Sequence, residues 1–382
     1  MKISRQYFIS LAALIMIWPV ALFAQSQLRV EGQLTMVLDG QSIFEIDGSR
    51  NLKGSIIIAP RSGREIEISF AKSARADSKA QAERFLDLIG LIIKAENDER
   101  VVLSILTPSD SPWEGSDYGV SLELIVQLPE KMRIEGDLRF MSVNIRGPFG
   151  GVSLETSYSP ITVAGIRGPV DITTSYSPLS LTEIEGSIKA RTRYGSIEAS
   201  DIVVSLGSAL FNTINGAISL SDIQGPVEAY TSYSAIQAND IEAAEGSIVF
   251  RTSYSPIAIE DVSGELICET SFSPISMSGV ALTHGQSKVE TSYSPIDAEI
   301  ERMESGQLLI YNNYNNINLL LPSDISSHLI ASVDAGGRIH AANLPVKPIY
   351  LDITRLEGTL GDGLSRIELK VSGVGTIEIE GQ

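Results

Sequence analysis

Five carboxylates recur at one position of this chain: Glu183, Asp201, Asp222, Asp240 and Asp261, separated by 18 or 21 residues. A row of like charges is the kind of array that a hard cation relieves, because calcium prefers clustered carboxylate oxygens. Without a cation, each neighbouring pair at strand spacing, ~4.8 Å, costs about 0.9 kcal/mol even in water. Aspartate also serves turns, where it bonds local backbone amides. The same column holds Gly165 and Gly279, and the chain has no glycine-rich nonapeptide of the calcium-binding kind. Turn chemistry is the expectation, with no metal and no cofactor.

The remaining reactive side chains do not group. His284, His328 and His340 are scattered and lack metal-ligand spacing. No serine lies in a G-x-S-x-G nucleophile elbow. Cys268 is the only cysteine, so no intramolecular disulfide can form, and it falls in the column of Ile172, Phe250 and Val289. That column makes it a small core residue rather than a nucleophile. Acid–base catalysis needs clustered groups with shifted ionisation, and linear spacing shows none. The expectation is a protein that is not an enzyme.

One aromatic column is more conspicuous. The segment TSYSP begins at Thr156, Thr174, Thr252 and Thr291, with the variants TRYGS from Thr192, TSYSA from Thr231 and TSFSP from Thr270. Its central residues are Tyr158, Tyr176, Tyr194, Tyr233, Tyr254, Phe272, Tyr293 and Tyr314, with Asn215 in the degenerate copy TINGA. Serine before proline is pushed to extended backbone, and proline is tolerated at the first position of a strand. TSYSP therefore reads as strand, corner, strand. The rings either pack as a ladder that fixes register, or form an exposed stripe that grips a sugar chain or a partner protein. Phe272 shows that no hydroxyl is needed at every rung. Packing is the expectation, and the eight rings are the candidate binding residues if the stripe is exposed.

The elements that place these residues follow from the period. Successive ring positions are 18 or 21 residues apart. Apolar columns keep the same register: Ile161, Leu179, Ile197, Ile218, Ile236, Ile257, Ile275, Ile296 and Ile317, then a second column two residues on, then Ile166, Ile184, Ile202, Ile223, Ile241, Val262 and Val280. A glycine follows in each unit, and a second alternating run leads to the threonine. Alternation of period 2 means strands. A unit this short cannot bury an apolar face alone, whereas stacked units can. The fold class is therefore all-β, a parallel β-solenoid of 18/21-residue coils. The threonine rank points inward by parity. The three extra residues of the long coils should project as loops at Val203–Leu206, Glu242–Glu245, Ala281–His284 and Glu301–Ser305.

Four regions result. Residues 1–24 read as a secretory signal peptide, with Lys2 and Arg5 before an apolar stretch and Ala24 at the cleavage position. Residues 25–139 lack the repeat and read as an N-terminal, mostly antiparallel β cap domain with one short helix around Ser78–Leu88. Residues 140–321 are the solenoid, and 322–382 are irregular last coils and a C-terminal cap. Capping is required because a bare solenoid end is an open sheet edge.

Composition narrows the partners. The formal charge is −18, or −20 once Lys2 and Arg5 leave with the signal peptide. Such a surface repels nucleic acid and anionic lipid. No second apolar stretch is long enough to span a membrane. The expected location is extracytoplasmic, in the periplasm, at the cell surface or secreted, and the expected partners are an envelope protein, a glycan or further copies of the chain.

The columns I-x-V-x-D-I-x-G-x-V-x-A-x-T, as in ISLSDIQGPVEAYT from Ile218, resemble the β-strand repeats of the bacterial putative-adhesin families, including the head-GIN group. LELIVQLPE from Leu122 resembles the segment that precedes their repeats. Those families commonly carry Asn-Gly at the turn, as at Asn215-Gly216, whereas Tyr-Ser-Pro mostly replaces it here. The resemblance implies a β-solenoid with an adhesin-like role and transfers no functional residue. The resulting expectation is a non-enzymatic binding or scaffold protein of the bacterial cell envelope. Its alternatives are a structural or regulatory envelope protein without external ligand, and a polysaccharide-active solenoid enzyme.

Overall fold

The structure, a computed structural model, describes residues 26–48, 51–113, 118–334 and 336–382. The expected signal peptide and its expected cleavage position lie outside the described residues. Among those residues no helix is long and apolar enough to cross a membrane.

One coil explains the rest. In Ile218–Gln224, Ile218 and Leu220 point inward and Ser219 outward. Asp222 then adopts a left-handed backbone, φ 54°. This resets the phase of the strand, so that Ile223 is buried three residues after Leu220. Gly225, at φ 115°, makes the next bend. Val227–Tyr230 runs back with Val227 and Ala229 buried, and the chain reaches the corner at Thr231. Each coil thus has two broad sides and one narrow side around an apolar interior. Burying each large apolar side chain stabilises by roughly 1.5–3 kcal/mol, but only because the coils above and below close the interior.

Stacking is in register and parallel. On the first broad face Leu179, Ile197, Ile218, Ile236, Ile257, Ile275, Ile296 and Ile317 align rung by rung. On the narrow side Ile184, Ile202, Ile223, Ile241 and Val262 align. On the second broad face Ile172, Ala190, Phe211, Ala229, Phe250, Cys268, Val289 and Ile310 align. The all-β parallel solenoid read from the repeat is the fold.

The long coils differ from expectation. Leu206 does project, at 82 % exposure. Ala243, Leu282 and Met303 instead turn inward and are buried. The added residues widen the narrow side with new strand, because alternation continues into them and half of their side chains can reach the core.

At the N-terminal end the outermost pairs are antiparallel: Ser26–Val37 on Glu65–Ala76, that strand on Gly119–Pro129, and Gly90–Ala95 on Arg100–Leu106. Nearer the repeats the pairing turns parallel. Lys53–Arg61 lies between Gly119–Pro129 and Phe140–Arg146, and Ile43–Asp47 lies between Arg100–Leu106 and Arg133–Leu138. The helix, Lys79–Asp87, starts where the Ser78 hydroxyl accepts from the Gln81 amide and buries Ala82, Phe85 and Leu86. Phe85 meets Trp113 edge-on at 5.8 Å.

At the C-terminal end chain order and spatial order part. Ser365–Val371 pairs directly with the last repeat strand Gln307–Asn312, and Thr376–Gly381 with Ile317–Leu321. Ser327–Val333 and Arg338–Ala342, earlier in sequence, lie one rung further out. Arg355–Leu360 and Lys347–Leu351 then close that face with antiparallel pairs.

Candidate functional site: the aromatic edge

The corner between the second and first broad faces is held from inside. Thr213, Thr231, Thr252, Thr270 and Thr291 are buried. The hydroxyls of Thr231, Thr252, Thr270 and Thr291 donate to carbonyls of the preceding coil, at Gly216, Ser234, Ser255 and Ser273, over 3.1–3.4 Å. In the last repeat Asn312 takes the threonine position. Its amide donates to Ser294 while its oxygen accepts from the Tyr314 and Asn315 amides. The backbone also runs from coil to coil here: the Tyr254 amide donates to the Ser232 carbonyl at 3.1 Å and the Phe272 amide to the Ser253 carbonyl at 3.2 Å. The proline costs no ladder bond, because its carbonyl still accepts from the preceding coil, as Pro274 does from Ile257.

This inner frame aims the ring residue outward. Tyr158, Tyr176, Tyr194, Tyr233, Tyr254, Phe272, Tyr293 and Tyr314 are each 49–58 % exposed. They stack face to face with centroids 4.7–5.2 Å apart and planes within 12°. The rings are therefore both stacked and half exposed: their faces pack on each other, as a register ladder does, while about half of each residue's surface stays open to solvent. The separation is that of the strands themselves, so the ring column inherits its spacing from the backbone.

Two members of the edge carry no motif. Phe140, which opens the strand Phe140–Arg146 one coil before the first TSYSP corner, stacks on Tyr158 at 5.1 Å. At the other end Gly373 lies against the Tyr314 ring, and a β-carbon there would fall 2.8 Å from it. Phe140 sits 18 residues before Tyr158, so the period alone could have found it. Gly373 could not be found that way, because the strand order that brings it to Tyr314 is not sequential.

The column has one interruption. At Asn215 the backbone stays in register, with the Asn215 amide donating to the Arg193 carbonyl and the Tyr233 amide to the Ile214 carbonyl. Only the ring is missing. Beside it stand Arg193 and Ile214, both exposed.

The other candidates resolve differently. Glu183, Asp201, Asp222, Asp240 and Asp261 all have left-handed backbones, φ 51–55°, and Gly165 and Gly279 of the same column also have positive φ. Asp and Glu here hold a bend that glycine makes without strain. Among the described residues no three histidine, cysteine or carboxylate side chains converge in the manner of a metal site. Cys268 is fully buried, and burial pushes its thiol well above the usual range. His284 bonds Thr283 and the Gly246 carbonyl, and His328 faces Glu357 at 3.6 Å. His340 lines a shallow cleft of about 460 Å³ with Asp297, Glu299 and Glu378. There Asp297 accepts from Asn318 and Glu299 from Gln382.

Beside the aromatic edge, on the second broad face, sits an ionic cluster that the sequence reading missed. Glu269 lies 2.6 Å from Arg251 and 2.9 Å from Lys288, and Lys288 also reaches Glu290. Partial burial works against ionisation of Glu269. Hydrogen bonds from Lys288 and Arg251 outweigh it and hold the carboxyl below its usual range. Arg251 also covers the Tyr230 ring at 5.9 Å. Four adjacent rungs supply these residues, a cross-strand ladder that only the register makes visible.

No family model matches this sequence, and no curated protein does. Solved structures do align along it. A putative cell adhesion protein from Clostridium sporogenes is matched over 92 % of this chain and 100 % of its own, at 9 % identity and TM-score 0.20. A putative lipid binding protein from Parabacteroides distasonis is matched over 91 % and 96 %, at 11 % identity and TM-score 0.23. A putative adhesin from Bacteroides fragilis is matched over 92 % and 97 %, at 10 % identity and TM-score 0.21.

Proposed function

We propose that this is an extracytoplasmic, adhesin-like binding or scaffold protein of the bacterial cell envelope, that it is not an enzyme, and that the aromatic edge is its contact surface. The observation that carries the reading is the ring column, half exposed at every rung while its faces are stacked. A column serving packing alone gains nothing from rings held half in water. A surface of rigid, amphipathic rings on a fixed pitch suits contact with a glycan or an envelope protein, because aromatic side chains give large contact area at low entropic cost. The acidic surface directs this contact away from nucleic acid and anionic lipid.

The test is retention of purified protein on envelope fractions and on immobilised glycans. The native chain is expected to be retained, and the Tyr254→Ser/Tyr293→Ser pair to be retained several-fold less. Equal retention of the two would reject the edge as the contact surface.

A further inference from the structure

The interruption at Asn215 has the dimensions of one ring. Backbone hydrogen bonding continues through it, so Tyr194 and Tyr233 stand two rungs apart, roughly 10 Å. Every other neighbouring pair of the column, from Tyr158 to Tyr194 and from Tyr233 on to Tyr314, has its facing ring sides covered by the stack. Here no ring stands between Tyr194 and Tyr233, and each is stacked on its other side only. The asparagine amide is shorter than a phenol ring and reaches only the base of the slot. No side-chain hydrogen bond ties it to the corner.

Neighbouring columns change at the same coil. The position before the ring is Ser in most coils, but Ile214 here, 41 % exposed. The position after it is Ser in most coils, but Gly195 in the Tyr194 coil and Gly216 in the coil of the slot itself. Arg193, one rung from Ile214, is exposed and pairs with no carboxylate among the described residues. The slot therefore has two aromatic walls, an apolar flank, little side-chain bulk behind it and one free cation.

The geometry points to a docking slot for a single aromatic side chain, presented with one neighbouring carboxylate by an extended segment of a partner polypeptide, which completes the ladder. The stacked pairs define the occupant: a flat ring meets Tyr194 and Tyr233 in the arrangement the column's own rings adopt. Offset stacking on two faces favours such a ring beyond the area it buries. Ile214 adds apolar contact, and Arg193 selects for a neighbouring carboxylate. A pyranose also has flat faces, but its rim of hydroxyls would meet Ile214 unpaired.

This inference takes the aromatic edge as a contact surface, as above, and names what one part of it holds. The probe is the peptide acetyl-Asp-Trp-Asp-amide, followed by saturation-transfer NMR at the indole protons with the full chain. The native protein is expected to transfer saturation to the indole, and cello- and chito-oligosaccharides to leave the signal unchanged. Asn215→Tyr fills the slot and should weaken binding about tenfold or more while melting no lower than the parent. Ile214→Ser should weaken it several-fold, and Arg193→Ala should weaken it only for the acidic peptide and not for acetyl-Ala-Trp-Ala-amide. No transfer from the native chain, an undiminished signal from Asn215→Tyr, or displacement by an oligosaccharide would overturn the proposal. Tyr293→Ser alone, three rungs beyond Tyr233, leaves both slot walls and their stacking partners in place. Lost envelope retention with a retained peptide signal in that variant supports both readings separately, and native protein that binds the peptide without envelope retention removes the envelope reading alone.

Discussion

The rings of Tyr254 and Phe272 lie 5.2 Å apart with only 2° between their planes, although one carries a hydroxyl and the other does not. The stack therefore rests on ring faces and backbone pitch. The rings are also half exposed, which leaves them open to contacts outside the chain.

Because these rings are both stacked and exposed, removing them should have two effects at once. The Tyr254→Ser/Tyr293→Ser pair loses stacking on both sides of Phe272 but little fully buried area. A loss on the order of 1 kcal/mol per site is expected, read as a lower thermal midpoint alongside the reduced retention. An unchanged midpoint would mean that the stack adds nothing to register.

Ile259 is 4 % exposed and aligned between Ala238 and Met277. Ile259→Asp places a carboxylate in that column with no partner. A loss on the order of 4 kcal/mol or more is expected, and neighbour coupling should broaden or split the melt. A native-like melt would show that the interior tolerates charge.

The carboxylate column gives a sharper contrast. Asp222 sits at φ 54°, where alanine is strained and glycine is not. Asp222→Ala is expected to lose about 1–2 kcal/mol and Asp222→Gly to melt at or above the parent, with no upward shift on adding calcium. A calcium-dependent rise that Asp222→Gly abolishes would restore the cation reading.

Stability should also fall with acid through Glu269. Partial burial disfavours its charge, but Lys288 and Arg251 bind the ionised form more strongly and leave the folded-state carboxyl below its ordinary value. Its contribution is then fully present above the unfolded-state value near ~4.3 and is lost as pH falls through the lower folded-state value. Melting curves from neutral to acid pH should show a shallower acid limb for Glu269→Gln than for the parent. Parallel limbs would exclude this residue.

Strand, coil and core were legible in the sequence because each coil repeats the same local decision. Ile, x, Leu or Ala, a left-handed Asp, Ile, and a bend at Gly recur so often that accidents average out. The ring column was legible for the same reason, as was the helix near Ser78, where the N-cap and an apolar face coincide. The Arg251–Glu269–Lys288 cluster was not, since its members lie 18 and 19 residues apart and gain meaning only from register. The exposure of the rings was not legible either. Parity places Thr252 inside, but whether the corner residue two positions later leans in or out depends on the bend between them. The inward turn of Ala243, Leu282 and Met303 was hidden by the habit of reading an insertion as a loop.

Since Ser365–Val371 occupies the rung directly after Gln307–Asn312, the stack cannot be finished in the order in which the chain is synthesised. Coils up to Leu321 can add one after another, each templated by its predecessor. The next rung then waits for residues more than forty positions downstream, and the intervening strands settle outside it. Assembly is progressive until its final step, which closes a long loop and carries the entropic delay of a distant contact. Ser365–Val371, synthesised after the strand that lies outside it, is thus the piece that covers the growing edge, and until it docks that edge is a ready template for another strand.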